Sequence, residues 1–222
     1  LILNTLWCFA MSTHSLPTIA RLLNSRAGPS PLPALLYMTD AERVPNPLPV
    51  IDQLTPGSGV IFRHYTSINR LELSYKIKDL CSKRRLLFLV AGDISLAQSL
   101  NADGLHLPEY LVNNTPLSVR IWRQRPGKLL TAATHSQRSL QKSQTLGVDA
   151  ALLSPIFPTA SHPESLTPNN VLGSLGLMKM CLNSPVPIYA LGGISDNNAC
   201  QLLKCPVIGI AGISGIADNG IA

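Results

Sequence analysis

The sequence predicts an α/β fold: a single (β/α)8 barrel preceded by an irregular N-terminal arm. From residue 34 onward, eight short runs rich in Val, Ile and Leu alternate with longer amphipathic stretches. That is the pattern of parallel strands joined by helices. The runs are apolar almost throughout, as strands buried on both faces are. The main rival, an open doubly wound sheet, would carry GxGxxG after its first strand, where "YMTDAERVP" stands instead.

Taken in order, the chain opens on "LILNTLWCFAM", which is apolar but has no basic residue ahead of it and no clear small-residue cleavage site. It is also too short to span a membrane. Met11 is a candidate start, which would make the first ten residues a gene-model extension. Residues 1–33 read as an arm with one short helix at 18–23, and the barrel, 34–222, is expected to begin near Pro33. Strands are predicted at 34–38, 59–63, 86–90, 104–107, 128–132, 150–153, 187–191 and 207–210. Helices are predicted at 69–83, 94–100, 136–146, 172–182 and 195–203, with one more at 117–125 in a less regular stretch. The seventh strand stops at Gly192 and Gly193, and Ser195–Asp196 then reads as a helix start. A strand, a glycine turn and a helix start form one way to hold a phosphate against bare backbone. A tight turn without a ligand is the other reading of the pair.

At 222 residues, with 45% hydrophobic and 14% charged, the chain can bury one large core and is not a disordered polymer. A net charge of +6 suits an anionic ligand. The basic residues are spread over predicted helices, and 5% aromatic content is too little for a base-stacking platform, so neither nucleic acid nor membrane is an expected partner. Five cysteines without CxxC spacing read as reduced thiols in a cytoplasmic protein.

Four segments in order, "NADGLHLPE", "LGVDAALLSPIFPTASHP", "VPIYALGGISDNNA" and "IAGISGI", resemble the thiamine-phosphate synthase family, which includes the TenI-type thiazole tautomerases. The resemblance runs from about Leu35 to Ile216 and implies a TIM barrel. It also implies a reaction that joins an aminopyrimidine diphosphate to a thiazole phosphate with release of diphosphate, assisted by Mg2+. On this resemblance Gly192, Gly193, Ile213 and Ser214 hold the thiazole phosphate. Thr159, Ser161 and His162 belong to a loop that closes over the ligands, His162 replacing a family lysine. A homo-oligomer is left open.

The diphosphate and metal side departs from the family. The strand-two end, Gln-x-Arg-x-Lys in synthases, keeps Arg63 but has Ile61 and Tyr65 at the flanking positions. Arg63 is a candidate anion clamp, or else the partner of a barrel carboxylate. His64 is expected to point away from the barrel axis. Ala91 and Gly92 take the places of the Asn-Asp pair, leaving Asp93 one residue late, as a metal ligand or as the cap of the next helix. Leu111 replaces the second metal ligand, with Glu109 nearby as an alternative carboxylate. His135 falls where tautomerases carry a proton-shuttling histidine, although a solvent-facing residue fits the position too. His106 is expected inside the barrel, as a satisfied core residue or a catalytic one. Three functions follow: a divergent synthase, a metal-free thiazole phosphate tautomerase acting through His135, or a non-catalytic phosphate-ligand-binding protein.

Overall fold

The computed structural model describes residues 15–28, 30–159 and 170–218. In chain order it has α1 (Leu16–Arg26), β1 (Leu35–Met38), α2 (Leu48–Gln53), β2 (Gly59–Phe62), α3 (Arg70–Arg84), β3 (Leu87–Ala91), α4 (Ile94–Ser99) and β4 (Gly104–Leu107). Then follow α5 (Glu109–Asn113), α6 (Leu117–Arg123), β5 (Leu129–Thr134), α7 (Gln137–Thr145), β6 (Ala150–Leu153), α8 (Gly173–Leu182), β7 (Ile188–Leu191), a 3₁₀ helix (Ala199–Lys204), β8 (Gly209–Gly212) and α9 (Ser214–Ala217). The strands close in sequence order, each parallel to the next, with β8 pairing β1. The expected (β/α)8 barrel is therefore the fold, and the open sheet is excluded.

Inside the barrel, size alternates between neighbours. Leu36 sits opposite Gly59, Leu89 opposite Gly104 and Tyr189 opposite Gly209. A Cβ on Gly104 would lie 2.7 Å from Leu89 Cγ, and one on Gly209 would lie 2.8 Å from the Tyr189 ring. These glycines are the space into which the large side chains of the adjacent strands fold, so the interior is filled. A second, larger apolar layer lies between the strands and the helices.

The short helices α2, α5 and α9 were not expected, and three of the expected features differ. The arm does not end at Pro33 as a separate unit. Helix α1 buries Leu16, Ile19, Ala20 and Leu23 in the outer core against β8, β1 and the 3₁₀ helix. Asn24 Nδ2 ties it down by donating to the Ile208 carbonyl at 2.8 Å. The last strand lies two residues later than predicted, at Gly209–Gly212, although Ile208 N–H already donates to the Ile188 carbonyl of β7 at 2.9 Å. A slip of two keeps the same side chains facing inward. The helix expected at 195–203 is a 3₁₀ helix that starts at Ala199. Asp196 does not cap it but accepts the Leu16 N–H of α1. The first residues stay non-helical because the Asn198 side chain satisfies backbone groups there, in place of a helical ladder.

Candidate active site

The loops at the C-terminal ends of the strands form the mouth of the barrel, where such folds place their chemistry. At β7, Gly192 and Gly193 both take positive φ, 96° and 67°. A Cβ on Gly193 would collide with the Pro158 carbonyl oxygen and lie 2.6 Å from that of Phe157. The β6 loop lies directly on the glycine pair, with Phe157 N–H donating to the Gly192 carbonyl at 3.0 Å. Asn198 clamps the turn, its Nδ2 donating to the Gly193 carbonyl at 2.7 Å and its Oδ1 accepting from Ser195 N–H at 2.9 Å.

These glycines line a cavity of about 220 Å³ together with Thr159, Ile213, Ser214 and Arg43. The N–H groups of Gly193, Ile194 and Ser214 meet no acceptor among the described residues. Backbone donors converging on a small cavity suit an anion. The sequence reading named five of these six lining residues. It missed Arg43, which comes from the loop after β1, and Asn198, whose part is to hold the turn.

Closer to the axis, His106 is buried with its Nδ1 3.0 Å from Thr131 Oγ1. Burial pushes its pKa down to about 3, and the Arg63 charge adds to that shift, so the ring is neutral. Arg63 leaves the end of β2 on the axis side, with its backbone N–H donating to Thr39 Oγ1 at 2.9 Å. It also lies beside the Tyr65 phenol, which partial burial raises and the guanidinium lowers. His64 points the other way, as strand alternation requires. It stacks on Phe62 with ring centroids 5.6 Å apart and reaches Thr39 Oγ1 through Nδ1 at 2.9 Å.

His135 directly follows β5 and is exposed. Its Nδ1 lies 2.9 Å from the Ser154 carbonyl oxygen, so Nδ1 carries the hydrogen and Nε2 is the basic nitrogen of the neutral ring. Its backbone N–H donates to Glu109 Oε1 at 3.3 Å. The fold thus brings together Glu109 and His135, which are 26 residues apart.

The two carboxylates considered for a metal do not form a set. Asp93 caps α4, accepting from Leu96 N–H at 2.9 Å, and pairs with Arg70 at 2.6 Å. It lines a groove with Tyr65, Arg70 and Tyr110, while Ala91 occupies the inward position of β3. Leu111 packs against the outer core. With Asp93 committed to the α4 cap and to Arg70, and with Ala91 and Leu111 apolar, the described residues do not present the pair of carboxylates that the resemblance implies for magnesium. Ser161 and His162 lie outside the described residues. Among the described residues, no helix is long and apolar enough to cross a membrane, and Cys81, Cys181, Cys200 and Cys205 form no disulfide.

Comparison with known proteins bears on the family. Residues 47–216 match the family described as thiamine monophosphate synthase. The chain is 34% identical over 143 residues to an Aquifex aeolicus protein named for thiamine-phosphate synthase activity, covering 64% of this chain and 73% of the relative. It is 30% identical over 152 residues to thiamine-phosphate synthase 1 of Streptococcus pneumoniae, covering 68% and 69%. Among solved structures, thiamine phosphate pyrophosphorylase from Pyrococcus furiosus superposes with a TM-score of 0.66 at 23% identity, covering 90% of this chain and all of that one, which bears on the fold alone.

Proposed function

The chain belongs to the thiamine monophosphate synthase family, and from that premise we propose that it serves thiamine biosynthesis by coupling a thiazole phosphate to an aminopyrimidine diphosphate. One observation carries the reading: the cavity in which Gly192, Gly193, Thr159, Ile213 and Ser214 meet, with three backbone N–H groups that meet no acceptor among the described residues. The thiazole phosphate sits there, with its ring on the side of the mouth of the barrel where Arg63 lies. At the reacting centre the carbon–oxygen bond to diphosphate breaks, the electron pair leaving with the diphosphate. The thiazole nitrogen then forms the new carbon–nitrogen bond.

Arg63 holds the departing diphosphate, since a charge-assisted contact in a site shielded from water is worth most where negative charge accumulates. His135 offers an acid/base group at the mouth through Nε2. No step is routed through magnesium. The relatives described above carry synthase names and lend no support to the tautomerase alternative.

The test mixes purified protein with the two substrates, with and without magnesium, and looks for thiamine phosphate by mass. The expected result is product above a no-enzyme control, lost in Arg63→Ala. Absence of product from protein that still binds the thiazole phosphate would overturn the coupling reading and leave a tautomerase or a binding protein.

A further inference from the structure

The glycine cavity has one side chain of opposite character to its neighbours. Among its described lining residues Arg43 is the sole cation, and Asp218, just past α9, is an anion. Arg43 reaches the cavity because of how the barrel closes. β1 lies beside β8, with Tyr37 opposite Gly212, so the loop that follows β1 emerges next to the loop that supplies Ile213 and Ser214. That β1 loop is wound about Asp40. The Asp40 carboxylate accepts the N–H groups of Glu42 and Arg43, both at 3.1 Å, and its carbonyl accepts that of Val44 at 3.0 Å. A turn tied at three points gives Arg43 a defined starting position.

Backbone N–H groups and the Thr159 hydroxyl supply partial charge only. A phosphate monoester carries about two negative charges near neutral pH, and Asp218 on the same cavity opposes its entry. Without Arg43 the described lining side chains would carry a net negative charge. A guanidinium is planar, stays charged and matches a phosphate with two parallel N–H bonds.

We propose that Arg43 is a specificity-determining residue whose guanidinium binds the phosphate of the ligand in the glycine cavity and sets the preference for a phosphorylated over an unphosphorylated thiazole. The inference rests on the reading that this cavity holds the thiazole phosphate.

The test is calorimetric titration of wild type, Arg43→Ala and Arg43→Lys with thiazole phosphate, the unphosphorylated thiazole alcohol and inorganic phosphate. Arg43→Ala is expected to weaken thiazole phosphate by about 10- to 100-fold, the contribution of a charged hydrogen-bonding pair. The alcohol should be unaffected, and Arg43→Lys should recover part of the loss. Equal losses for phosphate and alcohol would indicate a merely structural role and overturn the proposal, as would unchanged phosphate affinity in Arg43→Ala. If wild type binds inorganic phosphate in an Arg43-dependent way but not thiazole phosphate, the role of Arg43 stands as an anion site and the substrate reading falls. If wild type binds neither, both fall.

Discussion

The Ser154 carbonyl oxygen stands 2.9 Å from Nδ1 of His135 and thereby decides which imidazole nitrogen carries the hydrogen. A carbonyl only accepts, so the neutral ring is the Nδ1–H form. Nitrogen-15 NMR of the neutral His135 ring, assigned with His135→Ala, should show a protonated Nδ1 and an unprotonated Nε2. The reverse pattern would break the link between β5 and β6 at the mouth.

Gly193→Ala should abolish binding of phosphate ligands at the cavity. The added Cβ meets the Pro158 and Phe157 carbonyl oxygens, and φ is 67°. Strain and displacement of the β6 loop together should cost about 1–3 kcal/mol of stability. Thermal melting checks the stability, and titration with thiazole phosphate checks the site. Wild-type affinity in this variant would remove the cavity from the mechanism.

Asn198→Ala leaves the Gly193 carbonyl and the Ser195 N–H without the side chain that holds them. The expected stability loss is about 1–3 kcal/mol for unpaired polar groups, with weaker thiazole phosphate binding because the turn slackens. Unaltered affinity alongside reduced stability would show that the clamp serves the fold and not the ligand.

How much of this was legible beforehand depends on what each residue's neighbours in sequence could reveal. Gly192 and Gly193 could be read because a strand, a turn and a helix start are local patterns, whereas Ser214 came through the family resemblance. The outward turn of His64 followed from strand alternation, and Asp93 lies one residue past an apolar run, where helix caps stand. Arg43 could not be read in the same way. Its place depends on β1 meeting β8, a pairing between segments more than 170 residues apart. The late start of the 3₁₀ helix was hidden for another reason: an asparagine side chain competes with the backbone ladder, and apolar spacing carries no trace of that competition.

Stability should depend on pH through His106. Its folded pKa is lowered to about 3, below the ordinary 6.5, so between those values the unfolded chain binds the extra proton. Stability from this residue is complete above pH 6.5 and declines as pH falls toward 3, by up to about 1.4 kcal/mol per pH unit. His106→Asn retains a polar partner for Thr131 and should flatten this part of the profile. Parallel wild-type and variant curves from denaturant titrations at pH 4–7 would contradict the assignment.

Gly104→Val should overpack the barrel. Its Cβ would stand 2.7 Å from Leu89 Cγ, at a cost of about 1–3 kcal/mol. Adding Leu89→Ala should restore part of the loss, a coupling that a double-mutant cycle measures directly. Strict additivity would mean that the two residues do not share the space.

The seating of α1 has a consequence for the order in which the polypeptide is made. Asn24 and its carbonyl partner Ile208 are separated by 184 positions, and Leu16 and Asp196 by 180. A ribosome at ~5–20 residues per second therefore releases the helix roughly 10–40 s before β8 exists to receive it. During that interval the face bearing Leu16, Ile19, Ala20 and Leu23 waits uncovered on the nascent chain. Closure of the barrel and burial of its first helix are thus a single late event, completed by the last strand to emerge.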